Sequence, residues 1–251
     1  MLALSTDSAT TSGLVTGEID AQTGAPFSSG SLNSAVVMGL DAAATSTSGG
    51  SQTSLGVVTF DGTGNANFSM DMNDAGTLSA LSGSGTHGAV DSASGRFTLT
   101  PPQGITPLVG YLASANQAFL VGADNSVTAG TFQAQSATSF TNSIVNFAGF
   151  IGDQAFASAP VQPPKGILPA TLSSGVMTFD GAGNLSATSD QNQSGVLLPG
   201  QSTADTYSVA SNGRVTLNSG SLILYMVSPT KFVAMDAAPA DPNPAISSGR
   251  Q

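Results

Sequence analysis

One phrase occurs twice in this chain. Residues 57–74 read VVTFDGTGNANFSMDMND, and residues 176–193 read VMTFDGAGNLSATSDQNQ. A duplication constrains the fold more than any other feature, because each copy must build a similar supersecondary unit. Phe60 aligns with Phe179, Asp71 with Asp190, Asn73 with Asn192 and Gly76 with Gly195, each at a spacing of 119. Gly95-Arg96 aligns with Gly213-Arg214 at 118, Tyr111 with Tyr225 at 114, and Phe119 with Phe232 at 113. The shrinking spacing is expected when strands are kept and connecting loops lose residues.

Within the first copy, short runs of strand-forming residues alternate with turn signals. Strands are expected at 35–42, 55–61, 65–72, 85–90, 95–100, 107–114, 117–124 and 129–136. The second copy follows the same plan at 145–152, 175–180, 184–191, 205–210, 213–218, 221–228 and 231–237, with a weak last strand at 245–251. A Pro-rich excursion, 158–170, interrupts its start. Short strands with hairpin-length loops point to an antiparallel meander, and eight of them can close into a small barrel without edges. The fold expected is all-β: two tandem antiparallel meander units, eight-stranded and barrel-like. One merged barrel or sandwich is the alternative.

The expected organisation is a strand pair at 1–34, a first barrel-like repeat at 35–140, and a second at 141–251 with a weak or missing last strand. Residues 1–22 resemble residues 118–135, the last two strands of the first repeat. They read as the end of a preceding unit. Three explanations follow. The chain is a piece of a longer array. Or these strands complete the second unit, or join one merged barrel. Or they complete a neighbouring molecule head to tail, giving a filament by strand donation.

Composition narrows the function classes. Five basic and 15 acidic residues give a formal charge of -10, and apolar residues make up 40%. Such a chain has the apolar content to fold. It has too few cations to track nucleic-acid phosphates or to seek anionic membranes. No apolar run nears the roughly 20 residues that span a bilayer as a helix. Cysteine is absent, which removes disulfides and thiolate chemistry. The opening MLALSTDSATT lacks the basic region and the apolar length of a signal peptide. The Ser-, Thr-, Gly- and Asn-rich, Lys-poor composition nevertheless suits an extracellular or cell-surface protein.

The pattern G-V-x-T-F-D-G-x-G-N, D-x-N, G-R and Y-x-x-S-x-x-x-F covers nearly all of residues 35–237. It resembles tandem lipocalin-like β-repeats of uncharacterised exported bacterial proteins. The resemblance implies a barrel fold and an exported location, and it brings no catalytic residue.

Several residues could carry chemistry. Asp61 and Asn65, repeated as Asp180 and Asn184, frame an Asp-Gly-x-Gly-Asn phrase. It reads as a β-hairpin turn, with a Ca²⁺ loop as the competing reading, since Asp and Asn offer hard oxygen ligands. Asp71 and Asn73, repeated as Asp190 and Asn192, share one strand face and could line a polar barrel mouth that binds sugar hydroxyls or a cation. His87 is the only histidine. With Asp91 and a nearby Ser it could form a hydrolase relay, but no G-x-S-x-G elbow is present. In the repeat register His87 falls opposite Tyr207, an ordinary strand position. Arg96 and Arg214 each read as a strand-start Arg pairing with a nearby Asp or covering an apolar face. Tyr111, Tyr225, Phe119, Phe132, Phe147, Phe150 and Phe232 are expected mostly to fill barrels. Inward-facing Gly110, Ala113, Ala118 and Gly122 could instead leave room for a small apolar ligand. The function expected is that of a non-catalytic, exported structural or adhesive repeat protein that partners with itself. A small-ligand or glycan-binding barrel is the alternative, and a hydrolase using His87 the second.

Overall fold

A computed structural model describes residues 2–4, 16–18, 20–42, 50–123, 127–137, 139–153, 171–193, 196–237 and 246–250. The Pro-rich excursion and Gly195 lie outside the described residues. β1 (Leu2–Leu4) and β2 (Thr16–Glu18) pair with each other in a two-stranded sheet. The first barrel contains β3 (Ala35–Ala42), β4 (Gln52–Phe60), β5 (Asn65–Asp74), β6 (Thr77–His87), β7 (Arg96–Thr100), β8 (Leu108–Ser114), β9 (Gln117–Gly122) and β10 (Thr128–Ala134). The second contains β11 (Asn146–Asp153), β12 (Thr171–Asp180), β13 (Asn184–Gln193), β14 (Val196–Val209), β15 (Arg214–Leu217), β16 (Leu222–Ser228), β17 (Lys231–Asp236) and β18 (Ile246–Arg250). In each, every strand pairs antiparallel with the next and the last returns to the first, so the sheet closes.

Two closed barrels replace the merged-barrel alternative. The expected weakness of the last strand is also corrected, since β18 pairs with both β17 and β11. The second barrel therefore closes without β1 or β2. Strand donation needs an open sheet edge, and neither barrel offers one among the described strands.

The period-two pattern explains the packing. Arg96-Phe97-Thr98-Leu99-Thr100 alternates exposed and buried along β7, and the apolar positions face inward. Phe60, Phe97 and Phe132 meet inside the first barrel, with ring centroids 5.5 and 6.2 Å apart. Phe147, Phe179 and Phe232 form the matching cluster in the second, at 5.3 to 6.2 Å. A small residue makes room for a large one on the neighbouring strand. Gly110 pairs with Phe97 in the ladder, and a Cβ at Gly110 would enter the Phe97 ring. The glycine marks filled space, and the barrels are packed cores.

Three expectations about strands change. The strand expected at 85–90 is the end of the 11-residue β6, and the one at 205–210 is the end of the 14-residue β14. Both run far past the core with nearly every residue exposed, so no apolar alternation reveals them. Phe119 and Phe232 are not counterparts. Tyr111 faces Phe119 across the ladder, whereas Tyr225 faces Val233. Phe119 therefore matches Val233 and points outward, while Phe232 points inward beside Ala234. A slip of one residue moves a side chain to the other face of a strand.

Each barrel also has a lead-in. Gln22 donates through Nε2 to the carbonyls of Ser94 and Leu112, and Gln135 donates likewise to Asn212 and Met226. Phe27 and Phe140 follow and are buried in the first and second core respectively. The structural units thus run from residue 20 through β10 and from Gln135 through β18, which moves the expected boundaries at 34 and 140.

Candidate functional site

The barrels meet along a seam. β4, β16 and β17 are apolar on both faces, so one face serves the barrel interior and the other packs outward. Val37, Leu55 and Val57 of the first barrel pack outward against Ile223, Tyr225 and Met235 of the second, all buried.

A polar cluster stands inside this apolar contact. Arg214 at the start of β15 grips Asp71 of β5 with both prongs, Nε to Oδ2 at 2.6 Å and Nη2 to Oδ1 at 3.0 Å. Its Nη1 donates to Thr216 Oγ1 at 2.6 Å. The Tyr225 hydroxyl donates to Asp71 Oδ2 at 2.7 Å. Burial first, and then the Asp71 carboxylate, push the Tyr225 phenol well above its ordinary range, so it stays a donor. Planar, bidentate geometry is what a guanidinium offers and an ammonium cannot. Asn73 donates to the Asp236 carbonyl across the same seam, and its Oδ1 accepts from Gly76 N–H in the β5–β6 turn.

Asp71 and Asn73 are therefore not at a barrel mouth. Both are buried between the barrels, because their strand face meets the neighbouring unit. Their repeats, Asp190 and Asn192, are exposed on β13, where Asp190 Oδ1 accepts from Gly200 N–H beside a β-bulge. The two pairs do not converge. Arg214 does pair with an aspartate, but one from the other repeat.

The Asp-Gly-x-Gly-Asn phrases form the β4–β5 and β12–β13 connections. Asp61 accepts from Thr63 N–H, Thr63 Oγ1, Asn65 N–H and Asn65 Nδ2 at 2.6–3.0 Å. Asp180 accepts from Ala182 N–H, Asn184 N–H and Asn184 Nδ2. These bonds hold both carboxyls below the usual range. Each carboxylate is engaged by donors of its own turn, and the Asn presents its NH₂ rather than its oxygen to it. Among the described residues, no three His, Cys, Asp or Glu side chains gather at one place.

His87 is buried against Phe60 in an edge-to-face contact at 5.8 Å. Tyr207 makes the same contact with Phe179 at 5.2 Å, so the two positions match as the register indicates. His87 Nδ1 meets the Gly88 carbonyl, and its Nε2 has no hydrogen-bond partner. Asp91 instead caps the β6–β7 turn, accepting from Ala93 and Ser94. No hydrogen bond joins His87 and Asp91.

Of the seven aromatic residues expected to fill barrels, Phe132, Phe147 and Phe232 do. Tyr225 belongs to the seam. Tyr111, Phe119 and Phe150 face outward. A shallow groove of about 380 Å³ lies on the outside of the first barrel between Asn67, Ser84, Thr86 and Thr100. Its lining carries amides, hydroxyls and no charge.

Sequence reasoning missed the seam as a site. One signal for it was present: LILYMV at 222–227 is apolar at six consecutive positions, the mark of a strand buried on both faces. No family model, curated protein or solved structure matches this chain.

Proposed function

We propose that this chain is a non-catalytic structural module of an exported, surface-displayed β-repeat assembly. The observation that carries the reading is the seam: an apolar contact with a bidentate Arg214–Asp71 pair couples two side-chain-filled barrels. Filled interiors suit a spacer that holds shape, and polar, Lys-poor outer faces suit an extracellular setting. The test is made on producing cells. An antibody to the chain is expected to label intact cells; labelling only after permeabilisation overturns the location. The purified chain is expected to turn over no ester or glycoside substrate, and turnover lost in His87→Ala overturns the non-catalytic part.

A second reading rests on the outer groove, where Asn67, Ser84, Thr86 and Thr100 offer neutral hydrogen-bonding groups suited to sugar hydroxyls. Binding to a glycan array that is lost in Asn67→Ala supports it, and an empty array refutes it.

A further inference from the structure

Each half of the seam exists twice, but the chain uses each only once. The first barrel contributes Asp71, Val37 and Val57; the second contributes Arg214, Thr216, Tyr225 and Met235. The ladder registers identify the unused counterparts. Arg96 faces Tyr111 as Arg214 faces Tyr225, and Val109 faces Val121 as Ile223 faces Met235. Thr98 stands two residues after Arg96 as Thr216 stands after Arg214. The first barrel thus carries a second Arg-Thr-Tyr face, on its side away from the seam. Val37 pairs with Val57 as Phe150 pairs with Val176, and Asp190 repeats Asp71. The second barrel thus carries a second Asp face.

Exposure shows that these faces are uncovered. Tyr111 is 46% exposed where Tyr225 is 1%, and Val121 is 50% where Met235 is 0%. Phe150 is 70% exposed where Val37 is 1%, and Val176 is 37% where Val57 is 7%. Among the described residues, four of the eight large apolar side chains that are exposed are counterparts of buried seam residues. Exposed clusters of this kind mark interaction surfaces. Charge agrees as well, since Arg96 is on one face and Asp190 on the other, both exposed.

We infer that the Phe150–Val176–Asp190 face of one molecule docks on the Arg96–Tyr111–Val121 face of a second copy, repeating the internal seam between molecules. The contact is heterologous: each molecule offers one face of each kind. It therefore generates a closed ring or an open filament, depending on the rotation between barrels. It requires no strand exchange, in keeping with two closed sheets. This names the partner within the structural-module reading and rests on it. Association is measured on pure protein and location on cells, so either can fail alone.

The test is sedimentation of the whole chain. The internal seam forms with its halves tethered, at an effective concentration on the order of millimolar, so the free chain is followed up to about 1 mM. Sedimentation is expected to rise with concentration, to a plateau for a ring and without one for a filament. Arg96→Asp/Tyr111→Asp blocks one face and Phe150→Asp the other; each is expected to weaken association more than about tenfold. All three positions are exposed, so folding, checked by circular dichroism, should survive, with Val121→Asp as a second variant of the first face. The deciding arm mixes the two blocked chains. Each keeps one good face, so the mixture should give a dimer that grows no further. A wild-type chain that stays monomeric to about 1 mM overturns the inference. So does a mixture that fails to pair, or a blocked chain that still associates with itself.

Discussion

Replacing Asp71 by Ala would test whether the seam is a true interior. The change removes both guanidinium contacts and the acceptor of the Tyr225 hydroxyl. Arg214 keeps Thr216, and its side chain is 30% exposed, so water can partly replace the carboxylate. Tyr225 is 1% exposed, so its hydroxyl loses its acceptor where water cannot replace it and keeps only the Arg214 guanidinium beside it. Breaking a buried pair costs about 3–5 kcal/mol, and the exposure of Arg214 puts this case near the lower end, about 3 kcal/mol. At about 2–4 °C per kcal/mol for a chain of this size, the melting temperature should fall by roughly 6–12 °C. The chain has no Trp, so urea and thermal unfolding are followed by far-ultraviolet circular dichroism. A cycle with Arg214→Ala and the double variant isolates the pair, with a coupling of about 2 kcal/mol expected. Arg96→Ala and Asp190→Ala, at the exposed counterparts, serve as controls and should stay within about 0.5 kcal/mol in dilute solution. A coupling of about 0.5 kcal/mol or less for Asp71–Arg214, the size of an exposed surface pair, would refute the buried seam.

Three further outcomes can be checked with the same instruments. His87→Tyr copies the Tyr207 position, where the hydroxyl donates to Val145 and accepts from Gly181; it should gain about 1 kcal/mol, and a loss of stability refutes the equivalence. Asp61 has a depressed pKa in the folded state, so its contribution is present above the ordinary carboxylate value and lost as pH falls through the folded one. The gap in melting temperature between wild type and Asp61→Asn should therefore narrow below about pH 4, and a gap that widens on acidification contradicts this. Gly56→Ala puts a methyl into the Ser69 carbonyl and the Met70 Cα on the next strand, so it should destabilise by about 2 kcal/mol or more. Gly175→Ala, at the same place in the second repeat, should do likewise, and a neutral result at both would mean the strands can part there.

Much of the fold was legible because it is local. The Asp-Gly-x-Gly-Asn turn is read from five residues, since Asp61 and its donors are neighbours in sequence. Alternation along β7 is read from five more. The overhanging parts of β6 and β14 were not legible, because a strand with no buried face carries no apolar period. The weak last strand was undervalued for a related reason: ISSGR holds one large apolar residue, and its place comes from the two strands that flank it.

By itself, the sequence determined that there are two units, that each is an antiparallel meander, and where most hairpins turn. These follow from duplication, period and turn chemistry, all of which act over a few residues. Only the tertiary structure decided what Asp71 and Asp190 do. They are the same residue at the same place in the same phrase, yet one is buried in an ion pair and the other is exposed. Two barrels in one chain make one junction, and a junction uses one half of each duplicated surface. The choice depends on which faces meet in space, and no local pattern records that.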